Sequence, residues 1–248
     1  MKFINSSNDL SVYLDLNIAK GIPIKNISID TRTIKKDSLF IAIKGDKFDG
    51  NDFVEEAFER GANLAIVDNK KLIKIRNKNI IYVKNTIGAL KKISENIIKK
   101  YNGNVIAITG SNGKTTTTNI IANSLTNTSK TIENYNNEIG MPLSIINASP
   151  KSKNIIIEIG AAKAGDINYL SKILKPLIGV ITNIGNSHLE TLKNINGVLR
   201  VKSEIVNNIK KDGYLIVPNE NKEHLRHWKL LRDDINIYSF GMTKSADF

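Results

Sequence analysis

The sequence has no cysteine, which excludes disulfides and thiolate metal sites and leaves nothing that argues for an oxidising compartment. No apolar run approaches the ~20 residues that span a bilayer. The stretch from Met1 to Asn8 lacks the apolar core of a signal peptide. These absences predict a cytoplasmic protein without membrane insertion. Internal repeats and low-complexity linkers are also missing. Charge is unbalanced, with 36 Lys and Arg against 24 Asp and Glu, a net +12. Nucleic acid is still not the expected partner, because the lysines are scattered among many Asn and Ile and form no basic stripe with interleaved aromatics. A polyanionic small substrate benefits from the same charge. With 248 residues, 41% of them hydrophobic, the chain can bury the core of one large or two ordinary domains.

One stretch organises what is present. Val105 to Thr109 is an apolar run that stops at Gly110-Ser111-Asn112-Gly113, and Lys114-Thr115-Thr116 opens a helix. Strand, glycine turn and helix start together suit a polyphosphate, because the turn lets successive N–H groups point inward and the helix adds a partial positive charge. Lys114 would reach the terminal phosphates and the Thr115 hydroxyl would face magnesium. The spacing is G-x-x-G-K-T; the longer standard pattern would need glycine where Ile108 stands.

The rest of the chain reads as a mixed α/β protein. Residues 8–20 suggest a short helix, followed by strands at 27–29 and 39–43, a glycine-punctuated loop at 44–51, and a helix over 52–60 that stops at Gly61. Strands at 64–67 and 80–83 precede an amphipathic helix over 87–101 with Leu90, Ile93, Ile97 and Ile98 as its stripe. Asn102-Gly103-Asn104 marks the expected boundary between a domain at 1–102 and one at 103–248. Beyond it, strands at 105–109, 154–159 and 177–183 alternate with helices at 114–125, 166–174 and 195–209, which predicts a mostly parallel, helix-covered sheet. Short strands at 214–217 and 235–240 flank a helix over 220–231, whose His224, His227 and Trp228 read as surface and packing.

Ligands of such sheets collect at the carboxyl ends of strands. Glu158, near the end of an apolar strand, is placed to hold a hydrated magnesium or to pair with a structural lysine. His188 follows the strand at 177–183.

Several stretches occur in the order found in Mur ligases, which the whole chain resembles. They are Gly110 to Thr116, Asn134 to Pro142, Glu158 to Ala161, Ala164 to Ile167, Thr182 to Gly185 with His188-Leu189-Glu190, and Lys202 to Ile205. Asp30-Thr31-Arg32, Ser38 to Gly45 and Phe48 to Phe53 resemble the family's uridine-binding domain. The resemblance implies ATP phosphates cradled by Gly110, Ser111, Asn112, Gly113, Lys114, Thr115 and Thr116. It implies Mg2+ held by Thr115 and Glu158, a second ion at His188, and Lys202 carrying a carbamate that completes the metal site. Lys114, Glu158, His188 and Lys202 are then the catalytic set. Asp30, Thr31, Arg32, Lys44, Asp49, Gly50 and Asn137 would bind substrate.

The Asn136-Asn137-Glu138-Ile139-Gly140-Met141-Pro142 segment implies the member that joins D-Ala-D-Ala to UDP-MurNAc-tripeptide through an acyl phosphate, in preference to an amino-acid-adding member. The reaction is ADP-forming and belongs to peptidoglycan synthesis; the protein is expected to be a monomer. Family members run well beyond 400 residues in three domains. This chain is therefore expected to stop inside the central domain and to have little activity alone. Other readings are a non-catalytic nucleotide and UDP-sugar module, or, from charge alone, a nucleic-acid-associated ATPase.

Overall fold

A computed structural model describes residues 2–19, 21–186 and 189–248, with the backbone alone at Leu189. The chain divides into two compact units, Met1–Lys99 and Lys100–Phe248. Among the described residues no helix is long and apolar enough to cross a membrane.

The first unit opens with helix α1 (Ser7–Leu14), where the Asn5 and Ser6 N–H groups donate to Asp9 Oδ2. This helix ends well before residue 20, because Asp15 turns into the left-handed region at φ 56° and its N–H closes on Ser11 O. Strands β1 (Asn26–Ser28), β2 (Ser38–Ile41), β3 (Ala62–Val67) and β4 (Ile80–Tyr82) form a parallel sheet in that order. A 3-10 turn over Gly50–Phe53 leads into helix α2 (Val54–Glu59), so the helix expected over 52–60 begins as a tighter turn. Phe40 on β2, Ala42 just past its end, and Ala65 and Val67 on β3 pack with Val54, Ala57 and Phe58 of α2. Leu39, Ile41, Leu64 and Ile66 between them are also buried, as parallel strands covered on both faces require. Helix α3 (Thr86–Lys100) buries the expected stripe of Leu90, Ile93, Ile97 and Ile98.

The second unit is a six-stranded parallel sheet. Strand β5 (Asn104–Thr109) leads through helix α4 (Lys114–Ser124) to β6 (Thr128–Lys130), and helix α5 (Gly140–Asn147) leads to β7 (Asn154–Glu158). Helix α6 (Asp166–Leu174) carries the chain to β8 (Ile178–Ile181). Helices α7 (Leu189–Leu192) and α8 (Ile195–Ser203) precede β9 (Tyr214–Pro218), and α9 (Lys222–Lys229) precedes β10 (Asn236–Phe240).

The spatial order is β10-β9-β8-β5-β7-β6. The chain builds β6 and β7 on one side of β5 and then crosses to the other for β8, β9 and β10. A crevice at the carboxyl end of β5 follows from that reversal.

The second unit also departs from expectation. The helix expected over 195–209 stops at Ser203 and continues as a 3-10 turn over Glu204–Asn208. Ser203 Oγ donates back to Leu199 O at 2.7 Å and accepts from Trp228 Nε1 at 2.8 Å; such back-bonding hydroxyls bend helices. Strand β6 and helix α5 were not expected at all. Strand β6 is three polar residues at the sheet edge, and α5 buries every residue from Gly140 to Ile146, so neither shows a period.

Candidate functional site

The loop after β5 sits at the reversal. Gly110 adopts φ 147°, and a Cβ there would collide with Thr182 Oγ1, so both conformation and space require glycine. Gly113, at φ 76°, starts α4. Lys114 is half-buried rather than projecting freely: its Nζ folds back to donate to Gly110 O at 2.9 Å and Ser111 O at 3.3 Å. Those carbonyls hold an ammonium directly over the loop.

Glu158 lies opposite Ile108 in the β5–β7 register and is 2% exposed. A carboxylate this deep needs partners. Thr115 Oγ1 donates to its Oε2 at 2.8 Å, and Asn136 Nδ2 donates to its Oε1 at 2.7 Å. The Glu158 N–H donates to Thr131 Oγ1 at 2.6 Å. Glu158 therefore pairs with the phosphate loop, and no lysine among the described residues forms an ion pair with it. Asn136 and Thr131 are parts of the site that sequence reasoning missed. Asn136 was visible only as a member of the Asn-Asn-Glu stretch, where Asn137 was singled out instead. Asn137 Oδ1 accepts from Ile139 and Gly140 N–H at the start of α5.

The segment after β8 laces the loop from the other side. Ser111 N donates to Asn183 O at 3.2 Å, Asn112 N donates to Asn183 Oδ1 at 2.9 Å, and Thr182 Oγ1 donates to Asn112 O at 2.6 Å. Ser111 Oγ donates to Gly185 O at 3.0 Å and lies 2.9 Å from the Gly185 N–H. The backbone of the loop is thus fixed by β8 as well as by β5. His188 lies outside the described residues.

Lys202, on α8, is 1% exposed and lines the cleft of about 490 Å³ that also takes in Lys114, Asn136, Gly160, Lys163 and Asp166. Burial, aided by the positive charge of Lys114, pulls its ammonium down to about 8, while Glu204 and Asp166 act the other way. Glu204 caps α6 from another element, accepting from Gly165 N at 2.7 Å and Asn168 N at 3.0 Å. This tertiary cap had no local sequence signal.

In the first unit, Asp30 accepts from Arg32 N at 2.9 Å and from its guanidinium at 2.6 to 3.0 Å, which holds the Asp30 carboxyl below the usual carboxylate range. Thr31 opens the 3-10 turn that Asp30 caps. Lys44 and Asp49 form a bridge that closes the following loop, Asp49 accepts from Asn51 N and Nδ2, and Gly50 packs against the Ile43 backbone. These residues are built into two polar turns following β1 and β2. The structure places them in a different unit from the phosphate loop.

The donor set beside the loop consists of hydroxyl and carboxylate oxygens, and the described residues contain no group of three or more His, Asp or Glu able to hold a metal. Two hard oxygen ligands that leave the other positions to water and phosphate fit magnesium.

Residues 108–248 match the Mur ligase middle domain, and residues 23–109 match the Mur ligase family catalytic domain. The chain belongs to the Mur ligase family. Among its curated relatives, the UDP-N-acetylmuramoyl-tripeptide–D-alanyl-D-alanine ligase of Bacillus subtilis (strain 168) is 38% identical over 196 residues, 78% of this chain and 43% of that protein. The same ligase from Buchnera aphidicola subsp. Baizongia pistaciae is 39% identical over 229 residues, 91% of this chain and 49% of that one. A crystal structure of MurF from Acinetobacter baumannii gives a TM-score of 0.84 at 30% identity, covering 96% of this chain and 52% of that one. MurF from Thermotoga maritima in complex with ADP gives 0.76 at 29% identity, with 87% and 50% covered. This Mur ligase chain spans about half the length of the relatives it matches.

Proposed function

We propose that the chain carries the sugar-nucleotide and ATP sites of an ADP-forming ligase that joins D-Ala-D-Ala to UDP-MurNAc-tripeptide in peptidoglycan synthesis. The reading places the protein in the cytoplasm, as a monomer. The observation that carries it is the bond from Thr115 of the phosphate loop to Glu158, whose other partner Asn136 lines a cleft together with Lys114 and Lys202. A simple binding module has no need of a buried lysine there.

Gly110 to Thr116 would hold the ATP phosphates through loop N–H groups and the start of α4. Lys114 would exchange its two carbonyl acceptors for phosphate oxygens and neutralise charge as it develops. A carboxylate oxygen of the peptide attacks the γ-phosphorus, the bond to ADP breaks, and an acyl phosphate forms. The amine of D-Ala-D-Ala then attacks the acyl carbon, loses a proton, and phosphate leaves. Thr115 and Glu158 would hold one Mg2+ and His188 a second, and the ions when bound supply charge neutralisation at the phosphates. Lys202, with part of its population neutral near pH 8, is suited to attack carbon dioxide, lose a proton and become a carbamate. That conversion replaces a cation that would repel magnesium. In the first unit, Asp30, Thr31, Arg32, Lys44, Asp49 and Gly50 would bind the uridine nucleotide, and Asn137 would meet the peptide.

The test is mass spectrometry of products from ATP, Mg2+, UDP-MurNAc-tripeptide and D-Ala-D-Ala. Little product is expected from this chain alone, and UDP-MurNAc-pentapeptide with one ADP per product once it is fused to the part of a relative that it does not span. Extension of a UDP-MurNAc-dipeptide by one amino acid would overturn this reading in favour of an amino-acid-adding ligase. Binding of both nucleotides with no turnover even in the fusion would favour a non-catalytic module.

A further inference from the structure

Three lysines line the cleft of the second unit, and only two of them have work in the proposed chemistry. Lys163 is the third. Its backbone is fixed: the Ala162 and Lys163 N–H groups both donate to Asp166 Oδ2, at 2.9 and 3.0 Å, and Glu204 Oε1 takes the Gly165 N–H at 2.7 Å. Its side chain is exposed and forms no ion pair among the described residues.

The acids around it are already engaged. Asp166 bonds to the loop, Glu204 caps α6, and Glu158 bonds to Thr115 and Asn136. Glu138 lines the same cleft but makes no ion pair with Lys163. An ammonium on a pinned loop, at the mouth of a cleft and without a carboxylate of its own, favours an anion brought by the ligand. The anion is not the triphosphate, because Lys114 and the loop N–H groups lie ready for that.

We infer that Lys163 is a specificity residue that holds a non-reacting carboxylate of a peptide substrate in the cleft. The inference rests on the proposed ligase reading. Two sources carry such a group: a dicarboxylic third residue of the acyl donor, or the C-terminus of the incoming dipeptide. Both would be repelled by an acid at this position, and an uncharged residue would be indifferent to them.

The experiment compares the parent with Lys163→Ala, Lys163→Glu and Lys163→Arg. Equilibrium binding is measured for tripeptide donors with a dicarboxylic or a lysine third residue, and for D-Ala-D-Ala with a free or an amidated C-terminus. The parent should prefer the extra carboxylate in one pair by about three- to fivefold, the size expected of a solvent-accessible ion pair. That preference should shrink with salt, vanish in Lys163→Ala, reverse in Lys163→Glu and persist in Lys163→Arg. The pair that shows it identifies the source. If the parent shows no preference in either pair, or if a preference survives in Lys163→Ala, the inference is wrong. A parent that binds none of these ligands refutes the ligase reading instead, so the two failures are distinct. Unchanged urea unfolding of the variants separates lost recognition from lost fold.

Discussion

Lys202 is 1% exposed, and its ammonium faces the positive charge of Lys114 across the cleft. Both burial and that charge favour the neutral amine, which brings the folded-state value to about 8 from an ordinary 10.5. The unfolded chain therefore binds more protons between about pH 8 and 10.5, and stability rises with pH across that window. Below about pH 8 the full penalty is present. In buffer free of carbon dioxide and metal, Lys202→Met should stabilise the protein at pH 7 on the order of 3 kcal/mol, at about 1.4 kcal/mol per pH unit. The gain should fade as pH approaches 10.5; denaturant unfolding at several pH values checks it. A Met variant no more stable than the parent at pH 7 would contradict the described burial. Lys202 is also the least legible residue of the site, because nothing in composition or spacing separates it from a solvated helix lysine. Only the family resemblance singled it out. Glu158 was legible from its place near the end of an apolar strand, and the family resemblance joined it to Thr115, 43 residues away, but nothing pointed to Asn136, 22 residues away, as its other partner.

The phosphate loop is the element in which sequence and structure agree most closely, because its constraints are local. Gly110 combines φ 147° with contact against Thr182, whose hydroxyl is committed to Asn112 O. Gly110→Ala should cost about 1–3 kcal/mol from the backbone conformation alone, with a displaced Thr182 and at least tenfold weaker ATP binding. Urea unfolding and calorimetry check both, and a neutral outcome would mean that the loop has another shape. Elements fixed by distant partners were hidden. Helix α5 begins Gly140-Met141-Pro142, a poor helical sequence by propensity. Proline is nevertheless tolerated in a first turn, where its missing N–H is one of the unpaired four, and burial of every residue from Gly140 to Ile146 leaves no polar face. Strand β6 exists because β7 offers an edge to pair with. The end of α8 depended on Trp228, which is fully buried and reaches Ser203 from α9.

At the scale of the molecule, two parallel-sheet units present two sets of polar turns after their strands. The alternation of apolar runs and helical stretches was enough to anticipate the parallel sheet of the second unit without β6, and the short strands of the first. The strand order of the second was not written in any local pattern, yet that order brings the loop after β5 between Glu158 on β7 and Thr182-Asn183 after β8. The account stands on the claim that this junction is the ATP site. Calorimetric titration of Mg·ATP into the parent and into Lys114→Ala tests it most directly. The expected result is one site per chain in the parent and at least a tenfold loss of affinity in the variant, with cooperative urea unfolding showing that the ligand-free variant is folded. Equal affinity in the two proteins would contradict it.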